Sequence, residues 1–135
     1  DMSISPWQII NQYQKLVKKY GLEDRIIFSS FNHTSVFLLR KLAPEIPGGA
    51  LVEHEGLGNA GYYCKKYDMQ CYHPGYKGLT EEEVQICHEN GIDVNVWTVN
   101  DMATLEQLWD WKCEGVISNY PDVCKRYVDS KASEQ

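Results

Sequence analysis

The sequence predicts an α/β fold built on a parallel sheet, and three observations predict it. Short runs rich in Val, Ile and aromatic residues alternate five times with amphipathic stretches. Capping and stop residues stand between them where helices begin and end. The 135 residues, 43% apolar and 24% charged, suffice for one core and match a single ordinary domain. Wholesale disorder is excluded by the same composition.

The elements follow in order. Ser5 and Pro6 suit the cap and first turn of a helix whose apolar residues Trp7, Ile10, Tyr13, Leu16, Val17 and Tyr20 recur at helical steps. Gly21 supplies its left-handed stop. Arg25–Phe31 reads as a buried strand. Asn32 caps a second helix carrying Val36, Leu39 and Leu42, which Pro44 ends. Gly49–Glu53 is a second strand, Ala60–Lys66 a short helix and Met69–His73 a third strand. Thr80 and Glu83 have the capping-box spacing, ahead of a helix presenting Val84, Cys87 and His88 and stopping at Gly91. Asp93–Thr98 alternates as a strand. Asn100 or Asp101 caps the next helix, with Met102, Leu105, Leu108 and Trp109 facing inward. Gly115–Ser118 and Pro121–Val128 are the last strand and helix.

Strict alternation calls for right-handed crossovers in a parallel sheet. Two architectures use it: an open doubly wound sheet of five strands, or part of an eight-unit barrel, which takes about 250 residues in full. Periodicity does not separate them. The net charge of −6 disfavours a nucleic-acid partner, which requires a basic face. No apolar run approaches the length of a membrane span, and the first residues lack a secretory signal pattern. The chain opens on Asp1 rather than Met, so an upstream portion is expected. Five cysteines, with no C-x-x-C, read as reduced thiols in a cytoplasmic environment rather than a disulfide framework. Cys64, Cys71 and His73 fit no common zinc spacing, so buried thiols are expected.

Several phrases then carry a family resemblance. Arg25-Ile26-Ile27-Phe28-Ser29-Ser30-Phe31 before a capped helix resembles the strand ending in S-S-F of glycerophosphodiester phosphodiesterases. The segment from Gly91 to Asp101, with Trp97-Thr98-Val99-Asn100, is similar to their late G-x-x-V-x-V-W-T-V-N. Gly115 to Asp122 resembles their closing G-I-I-T-D-x-P-D, with Ser118-Asn119 replacing Thr-Asp. Pro47–Glu53, His73-Pro74 and Leu79–Gly91 match in order and spacing, so the resemblance covers Ser5 to Val128. The family's H-R-G strand, E-x-D pair, H-D and E-x-K strand are absent from this sequence. The resemblance therefore implies that residues 1–135 are the C-terminal part of a parallel (β/α) barrel of TIM type, about its last five βα units.

Family membership implies hydrolysis of a glycerophosphodiester to glycerol 3-phosphate and an alcohol. It also implies a divalent cation, Mg²⁺ or Ca²⁺, whose ligands in the full-length protein lie outside this chain. The active sites of such barrels sit at the C-terminal strand ends, here Ser30-Phe31, Glu53-His54, His73, Trp97–Asn100 and Ser118-Asn119. The expected substrate-binding residues are Trp97, Phe31, Ser30, His73, Glu53 and Asn100, with no catalytic residue and no metal ligand. Alternation puts Val94, Val96 and Thr98 on one face, leaving Asn95 and Trp97 toward the barrel mouth; a core tryptophan is the alternative. His73 either lines the pocket or is a turn residue with a satisfied ring. Glu53 and Glu55 flank His54 as an acidic group facing a metal or head group, or simply solvent. Ser29 and Ser30 equally suit strand-to-helix capping. His88 is read as structural and His33 as solvent-facing.

Three functional readings compete: part of a phosphodiesterase whose catalytic half lies elsewhere, a non-catalytic binding paralogue with a partial barrel, and an unrelated open α/β domain. A partial barrel leaves its first and last strands, near Ile27 and Ile117, with open edges. Self-association, or pairing with the missing N-terminal half, is expected, and so is inactivity of the chain alone.

Overall fold

The computed structural model describes residues 6–53 and 56–134. Helix α1 (Pro6–Tyr20) is followed by β1 (Phe28–Ser30), α2 (His33–Leu42), β2 (Gly48–Val52), α3 (Ala60–Lys66) and β3 (Cys71–Pro74). Then come α4 (Glu81–Glu89), β4 (Asp93–Val96), α5 (Met102–Asp110), β5 (Gly115–Val116) and α6 (Pro121–Ser133). The five strands form one sheet in the order of the chain, and every neighbouring pair is parallel. A doubly wound sheet reverses its strand order at a switch point; this one never does. The order is that of consecutive barrel units.

Register explains the layers. Ala50, Tyr72 and Val94 stand side by side on β2, β3 and β4, and all three are fully buried. They join one continuous core with Val36 of α2, Cys64 of α3, Val84 of α4, Leu105 of α5 and Cys124 of α6. So these helices cover one face, and the alternate residues Ser29, Gly49, His73 and Asn95 line the other. Close packing sharpens the helix layer: a Cβ on Gly61 of α3 would collide with the carbonyl of Ile86 on α4. A smaller core joins Val17 of α1 to Ala43 and Ile46, with Phe28 against it.

Local signals produced the helix ends. Asn32 Oδ1 accepts the Ser35 amide at 3.3 Å, and Thr80 Oγ1 accepts that of Glu83 at 3.2 Å. Asp101, not Asn100, caps α5, its carboxylate accepting the Thr104 amide at 2.8 Å. Gly21 and Gly91 hold positive φ at the ends of α1 and α4. The Ser5 cap lies outside the described residues.

Other expectations need correction. Strand β1 begins at Phe28 rather than Arg25, because Glu23–Arg25 closes a 3-10 turn in which the Arg25 amide bonds to the Leu22 carbonyl. The third strand begins at Cys71 because the Met69 amide is taken by the carbonyl of Cys64. Strand β2 is Gly48–Val52, so Glu53 falls just past it. Strand β4 stops at Val96, and Trp97 continues only as a bridge to Gly75. The last helix runs on to Ser133, its polar residues carrying it past Val128 with a Lys125–Asp129 pair. On α5 only Leu105 and Leu108 are buried. Met102 is 44% exposed, and Trp109 is half-buried, edge-on to Tyr127 of α6. On α1, Ile10 and Val17 are buried whereas Trp7, Tyr13, Leu16 and Tyr20 are exposed. The stripe is wider than the neighbours it meets. Buried thiols match expectation: burial pushes Cys64 and Cys87 up to about 12 and Cys71 to about 11. All five cysteines are free.

Candidate active-site wall

His73 lies at the centre of the inner face and is 5% exposed. Its Nδ1 is 2.8 Å from Ser29 Oγ on β1, and its Nε2 is 3.0 Å from the Asn95 amide nitrogen on β4. Reaching Ser29 requires crossing β2, and the ring does so over Gly49, where a Cβ would come within 2.8 Å of it. Asn95 in turn leans over Gly115, where a Cβ would strike its side-chain oxygen. Burial depresses the His73 pKa to about 4, so the ring is neutral at pH 7. An amide nitrogen only donates, so Nε2 accepts and Nδ1 carries the proton toward Ser29. A serine beside a histidine suggests a nucleophile and its base. Here the serine accepts, and the ring has no free lone pair to activate it.

The other predicted residues divide into two groups. Trp97 Nε1 donates to the His73 carbonyl at 2.8 Å, which turns the half-buried indole to the inner face. Phe31, 55% exposed, meets it edge-on with ring centroids 5.8 Å apart. The two rings form an aromatic shelf at the C-terminal ends of β1 and β4. Asn100 Oδ1 accepts from the Asn119 amide at 3.0 Å and the Ser118 hydroxyl at 3.3 Å, tying together the loops after β4 and β5. Ser30 stands apart from the shelf: its hydroxyl accepts the Asn32 amide at 3.0 Å in the turn into α2. Glu53 is exposed beyond β2. His54 and Glu55 lie outside the described residues.

Three further residues were placed otherwise by the sequence, or missed. His33 is half-buried rather than solvent-facing. Its Nε2–H donates to the Leu51 carbonyl at 2.8 Å, and its Nδ1 accepts the Tyr63 hydroxyl at 2.7 Å. The Glu83 carboxylate is 5% exposed; its Oε1 accepts the Gly58 amide at 3.0 Å and the Tyr72 hydroxyl at 3.1 Å. Tyr72 also accepts the Leu57 amide at 3.3 Å. Thus Glu83 and Tyr72 hold the loop after β2 from the helix layer. The T-x-x-E spacing was the available signal for Glu83, but it pointed to a local cap.

A family model for the glycerophosphoryl diester phosphodiesterase family matches residues 5–123. The chain belongs to this family. It is 32% identical over 108 residues to a glycerophosphodiester phosphodiesterase of Caldanaerobacter subterraneus, a match over 80% of this chain and 44% of that protein. A Bacillus subtilis relative of the same name is 31% identical over 116 residues, covering 83% of this chain and 39% of its own length. The chain therefore spans less than half the length of these curated relatives. Among solved structures, a glycerophosphodiester phosphodiesterase from Parabacteroides distasonis superposes with a TM-score of 0.80 at 22% identity, over 96% of this chain and 55% of that one. An Oleispira antarctica phosphodiesterase in complex with the product sn-glycerol-3-phosphate gives 0.80 at 22% identity, over 92% and 50%. At such identity the likeness concerns the fold: five units of the family's TIM barrel, a partial barrel.

Measured against that barrel, the chain has one wall. Among the described residues no group of three or more His, Cys, Asp or Glu side chains is placed to hold a metal ion. The described residues do not compose a divalent-metal site. A hollow of about 570 Å³ lies along β1 between Ile10 and Tyr13 of α1 and Val36 and Leu39 of α2, with neither Phe31 nor Trp97 in its lining. Ile27 and Ser29 line it as well, so it runs beside the strand whose second neighbour is absent among the described residues.

Proposed function

We propose that this chain is the substrate-holding wall of a metal-dependent glycerophosphodiester phosphodiesterase, acting in the cytoplasm on a diester that yields glycerol 3-phosphate and an alcohol. The observation that carries this reading is the Phe31–Trp97 shelf at the strand ends, where barrels of this type hold their substrates. Flat aromatic faces suit the carbon skeleton of the glycerol or alcohol portion, which gains by leaving water. Asn100 and Glu53 supply the polar rim. The product held by the Oleispira protein supports the substrate class. Free thiols support a reducing compartment.

Hydrolysis of a phosphodiester needs its negative charge offset and its protons moved. The family's H-R-G and E-x-D motifs that do this are absent from the sequence. They belong to a complementary set of βα units, against which β1 and β5 close. The test is to fuse the part of the Caldanaerobacter relative that this chain does not match ahead of Asp1 and assay glycerophosphocholine with Mg²⁺ or Ca²⁺. The chain alone gives no turnover and the fusion does. Trp97→Ala in the fusion raises KM about tenfold, the equivalent of one apolar contact of roughly 1.4 kcal/mol. Turnover by the rigorously purified chain alone, or an unchanged KM in the Trp97→Ala fusion, refutes the reading.

A further inference from the structure

The two rings of the aromatic shelf stand two residues beyond the two side chains that His73 holds. Ser29 on β1 precedes Phe31, just past the strand end, by two positions, and Asn95 on β4 precedes Trp97, just past its end, by two. Residues two apart share one face of a strand. The His73 ring therefore grips, through Ser29 at 2.8 Å and Asn95 at 3.0 Å, the inner-face neighbour of each shelf residue. The backbone carbonyl of His73 takes the Trp97 indole N–H directly at 2.8 Å. One residue on β3 thus reaches the Trp97 end of the shelf directly and the Phe31 end through Ser29, and it spans β2 only because position 49 is glycine.

We infer that His73 is a positioning residue: it does not touch substrate, but braces β1 to β4 across Gly49 and so sets the spacing and tilt of Phe31 against Trp97. With both ring nitrogens engaged and 5% exposure, it has no edge left to offer a ligand. The order of donor and acceptor in this brace is fixed. Ser29 receives a proton from the ring, and Asn95 gives one to it. Glutamine repeats that order, with its Nε2 donating and its Oε1 accepting, whereas leucine of similar size offers neither.

That the shelf binds substrate rests on the function proposed above; the brace rests on hydrogen bonds alone, and its test uses no substrate. Nuclear magnetic resonance of the chain reads the nuclear Overhauser contact between the Phe31 and Trp97 rings and the exchange rate of the Trp97 indole N–H. The expected result is that His73→Leu loses the inter-ring contact and exchanges the indole proton about tenfold faster: its acceptor, the backbone carbonyl at position 73, remains, but strands no longer braced by the ring open more often. His73→Gln keeps both. Where His73→Leu does not fold, Gly49→Ala serves: it removes no polar group but presses a methyl into the ring, and the same two losses are expected. The inference is overturned by wild-type contact and exchange in a folded His73→Leu or Gly49→Ala chain, or by His73→Gln behaving like His73→Leu. A fusion silent in the turnover assay, with these results intact, tells against the enzyme reading only.

Discussion

At the scale of single residues, burial of His73 couples folding to pH. Its ordinary value of 6.5 falls to about 4 in the folded chain because the charged ring is denied water. Above pH 6.5 the ring is neutral both folded and unfolded, and it adds no pH dependence. Between 6.5 and 4 the unfolded chain takes up the proton and the folded one does not, so stability falls as pH falls. The loss reaches about 3 kcal/mol at most by pH 4. Urea unfolding at pH 7.5 and 4.5 measures it, and His73→Gln removes this share of the difference; an equal difference in both chains contradicts the assignment. The sequence placed His73 at a strand end but left its duty open, because its partner Ser29 is 44 positions away. His33 was misread for the same reason. Its place in a first helical turn suggested water, while Leu51 and Tyr63, 18 and 30 positions on, supply its actual partners.

Among elements, what was legible depended on distance along the chain. Asn32, Thr80 and Asp101 each cap an amide three residues ahead, so spacing alone announces them. The limits of the strands were less legible, since a strand lasts only as long as its neighbour pairs with it. Arg25, Ile26 and Ile27 have strand-like character but no ladder partner beside β1. The approach of α3 to α4 at Gly61 was invisible, because a glycine in a helix looks like a weakness rather than a contact. Gly61→Ala is expected to destabilise by about 2 kcal/mol, since its methyl meets the rigid Ile86 backbone rather than a yielding side chain. Thermal unfolding followed by circular dichroism reads the shift; a midpoint equal to or above that of the parent chain contradicts the packing described.

For the whole molecule, alternation gave the parallel sheet, and the S-S-F and W-T-V-N phrases gave the family. The family resemblance already implied a barrel segment rather than a doubly wound sheet, and strand order, which no local pattern encodes, bears it out. Among the described residues, β1 pairs with β2 alone and β5 with β4 alone, while Trp7, Tyr13, Leu16, Ile27 and Ile117 are exposed. We expect the chain by itself to self-associate through these edges. Sedimentation velocity over a wide concentration range tests this, and a compact monomer at every dilution counts against it. The unbroken strand order also bears on how the chain acquires its shape during synthesis. Paired residues on neighbouring strands stand only 20 to 22 positions apart along the polypeptide. Short-range pairing keeps loop closure inexpensive and folding fast. Each unit can therefore dock on the one before it as the chain leaves the ribosome, without waiting for residues far downstream.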